Sequence, residues 1–170
     1  MRLYTGKIGP IAEEITRTLV DAGDLEAESV DEVRLDIEAV LKEHTRRERE
    51  VTDEAKSRLE ARGLAYGQLG RTKSQVAREK GVATGDDALP WILEQLLEML
   101  FHSPNVAEIY ADDATLRTKI TPILRKHMDV DADLDREVRA RIKNLEDGTA
   151  AFDVEYAKVM EQIKQKKGLT

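Results

Sequence analysis

The sequence predicts an all-α fold, a helical bundle of two similar halves that contains two long helices. Three observations carry this. Apolar residues recur at helical spacing over nearly the whole chain. Glu, Lys, Arg, Leu and Ala dominate, with 36% of residues charged and only 4% aromatic, which suits long solvated helices better than sheets. The pattern of the first half also returns in the second. With 170 residues and 41% apolar content, the chain is long enough for one domain and buries about 70% of its unfolded surface on folding.

The elements follow in order. Ile8, Ile11, Ile15 and Leu19 mark a first helix, with Pro10 tolerated in its first turn and Gly23 closing it. A second helix starts at the acidic cap Ser29–Glu32 and carries the stripe Val33, Ile37, Val40, Leu41, His44, Val51, Ala55 and Leu59 as far as Gly63. Its length is about 50 Å at 1.5 Å per residue. Its middle, Thr45 to Glu50, has no apolar residue and is expected to stand clear of a thick core. Residues 64–85 are punctuated by glycine, with a short helix expected from Thr72 to Lys80. Asp86 to Phe101 is apolar almost all round, leaving only Glu94, Gln95, Glu98 and His102 as a polar stripe, and so belongs at the centre of the core. Asp112 or Asp113 caps the next helix, which Pro122 is expected to kink. One last long helix is expected from about Asp131 to Lys167.

The halves, residues 1–84 and 85–170, echo one another and together make one domain. IAEEITRTLV (11–20) aligns with ILEQLLEMLF (92–101), and VRLDIEAVLKEH (33–44) with LRTKITPILRKH (116–127). Gly63 then aligns with Gly148, and QVAREKGV (75–82) with QIKQKKGL (162–169). The offset grows in small steps, as insertions in the connections would produce. A duplicated helical unit cannot bury its stripe alone, so the halves are expected to pack on each other.

The opening MRLYTGKIGPIAEEI, the run LDIEAVLKEHTRRERE and the ending LRKHMDVDADLDREVRARIKNLEDGTAAFDVEYAKVMEQIKQKKGLT resemble the bacterial family catalogued as domain of unknown function 507. The resemblance covers the whole chain. It implies a bacterial cytoplasmic protein, and it brings no activity and no catalytic residues with it.

Chemistry-bearing motifs are sparse. Net charge is −7, which disfavours broad contact with phosphate backbones. Cysteine is absent, excluding disulfides, thiolate metal sites and cysteine nucleophiles. The N-terminus lacks the apolar core of a signal peptide, and Ala88–Phe101 is too short and too charged to span a bilayer. The sequence places the protein in the cytoplasm, away from membranes. Gly70 is followed by Arg71-Thr72-Lys73-Ser74, not Gly-Lys-Ser, and no strand precedes it, so a phosphate-binding loop is not indicated. Gly67-Gln68-Leu69-Gly70 has the spacing of a nucleic-acid-clamping loop, but the sheet that such a module needs is not predicted. His44 and His127 fall at matching positions, yet no histidine has Glu three residues before it and HExxH is missing, so no metal ligand set is assigned. No serine has a nucleophile context. No catalytic residue and no cofactor are assigned.

Two patterns remain. Val138, Ile142, Leu145, Thr149, Phe152, Tyr156, Val159 and Ile163 step alternately by four and three, a heptad seam. Ile142, Leu145, Phe152, Tyr156, Val159 and Ile163 are its interaction candidates: the seam packs either on the chain's own core or on a second chain. Arg71, Lys73, Arg78, Lys80, Lys164, Lys166 and Lys167 form a basic patch if the fold brings the two ends together. The first reading is a non-enzymatic helical interaction protein, an adaptor or a homodimer, whose partner is protein. The alternative is a nucleic-acid or anionic-ligand binder using 71–80 and 164–167, and a metal-dependent enzyme stands third.

Overall fold

The computed structural model describes all 170 residues. Three-quarters of them are helical. The α-helices are α1 (Ile8–Asp21), α2 (Val30–Arg62), α3 (Leu69–Lys80), α4 (Ala88–His102), α5 (Asp113–Met128), α6 (Asp131–Arg141) and α7 (Ala150–Lys166). The all-α class is as the sequence predicts, with one small addition. A strand β1 (Leu25–Ala27) pairs antiparallel with β2 (Val106–Ile109), Leu25 facing Ile109 and Glu26 facing Glu108. Runs of three and four residues are too short to show a period of two, so the pair does not stand out in the sequence.

The caps are local and readable. The Ser29 hydroxyl accepts from the Glu32 N–H at the start of α2, and the Asp112 carboxylate accepts from the Thr115 N–H at the start of α5. Gly63 ends α2 in the left-handed region, at φ 60°, which a side-chain-bearing residue adopts only at a cost.

The central core is built by α1, the first half of α2, α4 and α5, with the strand pair at the α1–α2 and α4–α5 connections. Ile92, Leu96 and Leu100 of α4 are wholly enclosed, so α4 is central, as its all-round apolarity requires. Val33, Ile37 and Leu41 place the first half of α2 in this core. Val51 and Ala55 of its second half belong to a separate small core with Val76, Ala77 and Val82 of α3. Residues 45–50 join neither core. The N-terminal segment passes them, with the Arg2 guanidinium 3.9 Å from the Glu48 carboxylate.

The single helix expected over 131–167 is a correction: it is two helices, α6 and α7, joined by a turn. Asp147-Gly148 makes the reversal, with Gly148 at φ 84°, and the Thr149 hydroxyl caps α7 by accepting from the Phe152 N–H. A straight helix would have left the last third of its apolar stripe in water, whereas the hairpin folds the stripe on itself. Of the two long helices predicted, only α2 is continuous.

The N-terminal segment joins the two parts of the molecule. Leu3 enters the central core and Tyr4 enters the α6–α7 core. The Tyr4 hydroxyl donates to Asp131 at 2.5 Å, and the Gly6 N–H donates to the Leu169 carbonyl at 3.1 Å. Burial first, and then the Asp131 carboxylate, push the Tyr4 phenol well above its ordinary range.

Candidate functional site

The six seam residues lie in one place, inside the chain. Ile142, Phe152, Val159 and Ile163 are buried between α6 and α7, with Leu145 and Tyr156 half-buried against them. The Phe152 and Tyr156 rings are 5.8 Å apart and Arg139 lies over both. Tyr156 donates to Asp135 at 2.5 Å, and burial followed by that carboxylate moves its phenol up to about 12. Of the two arrangements open to the seam, the chain's own core or a second chain, these residues pack within the chain. The hairpin brings its own cover.

The seven basic residues do not share one helix pair. Arg71, Lys73, Arg78 and Lys80 sit on α3, which packs on the second half of α2, while Lys164, Lys166 and Lys167 sit at the end of α7, which packs on α6. Lys80 is paired with Glu54 at 2.9 Å and Lys167 with Glu137 at 3.0 Å. Lys164 is half-buried with its amine 5.2 Å from the centre of the Tyr4 ring, and burial followed by the charge of Arg2 lowers its affinity for the proton.

The histidines are engaged separately. The His44 ring is buried, its Nε2 lies 2.9 Å from the Ala83 carbonyl, and Nδ1 has no partner. A carbonyl only accepts, so Nε2 carries the hydrogen. His127 meets the Glu14 carboxylate at 2.7 Å, and Lys126 bonds the other oxygen of Glu14. His102 turns back onto the Glu98 carbonyl of its own helix. Lys126, and then His127, hold the Glu14 carboxyl below the usual Glu range. The unfolded chain then binds more protons than the folded one as pH falls through that range, so stability rises with pH there. The contribution is fully present above the unfolded value, near pH 4.3, and is lost as pH falls through the lower folded value. Glu14→Gln is expected to flatten the acid limb of a melting-temperature profile while changing the neutral limb less. An unchanged acid limb would refute the assignment.

One surface differs in character from the rest. The α2 and α4 helices run antiparallel, Asp36 reaching Ser103 at one end and His44 facing Trp91 at the other. Between them lies a groove of about 340 Å³, lined by Asp36, Ala39, Val40 and Glu43 of α2 and Trp91, Gln95 and Met99 of α4. It continues towards Glu98 and His102. Val40, Trp91 and Met99 are only half-buried, so the floor is apolar and open. The Trp91 ring centre is 5.3 Å from that of His44 and roofs it. At the rim, Asp36 accepts from the neutral donors Ser103 (2.6 Å) and Asn105 (2.9 Å), which leaves its charge uncancelled. Glu98 has no ionic partner, whereas Glu43 is shared by Arg46 and Arg47, which lower its carboxyl to about 2. The carbonyl end of α4 adds partial negative charge at the same end as Asp36.

Two larger hollows carry charges of both signs. One, of about 410 Å³, alternates Arg2, Glu48, Arg49, Asp53 and Lys56. The other, of about 630 Å³, alternates Glu13, Arg17, Asp21, Asp31 and Arg34. The first also has Leu3, Tyr4 and Leu169 in its lining and the second Val20 and Val30, and neither has one dominant sign of charge.

The contact of α5 with α1, by contrast, is closed by charge. Glu14 of α1 receives Lys126 and His127 of α5, and Lys119 pairs with Asp24. Nothing in the sequence singled out the groove, because Val40 and Met99 obey the same helical period as the core. The one available signal was Trp91, the chain's single tryptophan, set on its most apolar helix.

A family model described as "Protein of unknown function (DUF507)" matches residues 1–169. No curated protein matches the chain. No helix is long and apolar enough to cross a membrane.

Proposed function

We propose that this chain, which belongs to the DUF507 family of proteins of unknown function, is a non-enzymatic helical adaptor that takes a cationic amphipathic helix of a partner protein into the groove between α2 and α4. The observation that carries this reading is the groove itself, an apolar floor of Val40, Trp91 and Met99 under a rim where Asp36 and Glu98 keep uncancelled charge. A helix of two to three turns laid along residues 36–43 covers a span of about 10 Å, and its apolar positions meet the floor at i, i+3/i+4 spacing. Lysines or arginines on its flanks meet the rim.

The comparison between halves supports the reading. We take the two halves to be diverged copies of one unit. Each runs helix, strand, helix, and the facing pair Glu26–Glu108 falls at an offset between those of the helices on either side. Ser29 and Asp112 cap equivalent helices. Beyond them, Val51, Ala55 and Leu59 match Leu134, Val138 and Ile142, all buried. Gly81 and Gly168 end α3 and α7 alike, each followed by a buried residue whose N–H bonds back five residues, Val82 to Ala77 and Leu169 to Lys164. On this alignment Asp36, Val40, Glu43, Gln95 and Met99 stand where the other half has Lys119, Ile123, Lys126, Glu14 and Thr18. One copy of the helix contact is locked by ion pairs, and the other has become acidic at the rim and apolar within.

The test is titration of a labelled, lysine-flanked amphipathic helical peptide, followed by anisotropy, against a glutamate-flanked version. The basic peptide is expected to bind, the acidic one not. Val40→Glu and Met99→Glu, both at half-exposed positions, are expected to weaken binding tenfold or more, about 1.4 kcal/mol. Equal binding of both peptides, or no loss in either variant, would reject the groove.

A further inference from the structure

The outer end of the α2–α3 arm is chemically unlike the rest of this acidic protein. Residues 61–71 are exposed except for Leu69, which is half-buried. Tyr66, in the short turn Tyr66–Gln68 that leads into α3, is 75% exposed, and Leu64 is 37% exposed. Arg58 and Lys80, farther down the arm, are paired with Glu54 and Glu79. Arg62, Arg71 and Lys73, around the tip, have no carboxylate partner. The first turn of α3 contains no acidic residue and Glu60 is the one carboxylate among residues 60–73, so the tip is net positive in a chain of net charge −7.

The equivalent end of the α6–α7 arm is closed. Asp147 binds Arg139 at 2.9 Å, Arg139 covers Phe152 and Tyr156, and both aromatic rings turn inward. At the first tip the aromatic ring faces out and the cations are free.

We propose that this tip is a binding site for single-stranded nucleic acid, separate from the groove. A base stacks on the exposed Tyr66 ring, and Arg62, Arg71 and Lys73 meet the flanking phosphates. Gly67 and Gly70 have open space around their α-carbons, so the strand reaches the backbone of the turn without meeting side chains. A lipid surface is the poorer fit, since only Leu64 and Tyr66 could enter it and the remaining surface is acidic. The acidic bulk of the protein also opposes duplex, whose charge density is higher than that of a single strand. The site is small, so the association is weak and electrolyte-sensitive.

The experiment uses the full chain and a short fluorescein-labelled oligothymidine at low salt, read by anisotropy. Binding is expected in the micromolar range. Its logarithmic dependence on salt should have a slope of about −2, from three cations at about −0.7 each. Tyr66→Ala is expected to weaken binding about tenfold, and Arg71→Glu with Lys73→Glu to abolish it. The groove variant Val40→Glu should leave it unchanged, which separates this site from the adaptor reading. Tyr66 and Arg71 are exposed, so a circular dichroism spectrum should match that of the unsubstituted protein. Lack of binding at low salt, binding indifferent to Tyr66→Ala, or preference for phosphatidylserine vesicles or for an acidic peptide over the oligonucleotide would each overturn the proposal.

Discussion

Gly6→Ala is expected to lower the melting temperature by roughly 10 °C. A Cβ at Gly6 would lie 1.5 Å from the Gly168 carbonyl oxygen and 2.6 Å from its carbon. Both are backbone atoms, so no rotamer change relieves the clash, and the chain ends must move apart. That movement breaks the bond from the Gly6 N–H to the Leu169 carbonyl and pulls Leu169 and Tyr4 from the α6–α7 core. Overpacking of this kind costs about 3 kcal/mol, and each kilocalorie shifts the melting point of a domain this size by about 2–4 °C. Gly9→Ala is the control. It adds the same methyl group three residues later, in α1, where a Cβ meets nothing within 4 Å, and helix propensity favours it by up to about 1 kcal/mol. Differential scanning calorimetry of the two variants separates them. Equal melting points would mean that the two chain ends do not pack as described.

The second large effect concerns the seam. Phe152→Asp with Val159→Asp puts two carboxylates into the space between α6 and α7, at positions 7% and 9% exposed. Burying an unpaired charge, together with the cavity left by a phenyl ring, costs on the order of 4 kcal/mol per site. The hairpin and Tyr4 of the N-terminal segment form a small core of eight buried residues, counting Leu169, that is separate from the core of α4. It is therefore expected to melt as a unit, and the helical signal in circular dichroism should fall by about the content of α6 and α7. Amide protons of α4 should stay protected from exchange. Retention of full helicity, with loss of an oligomer instead, would show that the stripe pairs two chains.

These expectations differ from what the bare sequence supports, and the difference has a physical source. A four–three stripe is the same string of residues whether it runs along one straight helix or along two helices folded face to face. What decides is the connection of residues 142–149, where α6 stops after Arg141, Gly148 takes a positive φ and Thr149 caps α7. Where local chemistry is strong, the reading held: Ser29 and Gly63 bound α2, and the apolarity of Ala88–Phe101 places α4 at the centre. The strand pair is not legible because its three and four residues depend on each other across 79 to 84 positions of chain. The groove escaped for a related reason. Val40 and Met99 share the period of buried residues, and their exposure depends on which helix covers them, a tertiary fact. The free cations of the arm tip were legible as composition over residues 64–85, but not the outward turn of Tyr66.

The α2–α4 groove is the proposed interaction surface, and the protein has a built-in reporter there. Trp91 is its only tryptophan, half-buried against His44 and on the groove wall. Emission of the full-length protein, excited at the tryptophan band, can be followed while a tryptophan-free, lysine-flanked amphipathic peptide is added. Covering a half-exposed indole with apolar surface removes water from it, so the spectrum should shift to the blue and saturate in step with the anisotropy isotherm. A saturating anisotropy signal with an unmoved Trp91 spectrum would place the peptide elsewhere and contradict the central claim.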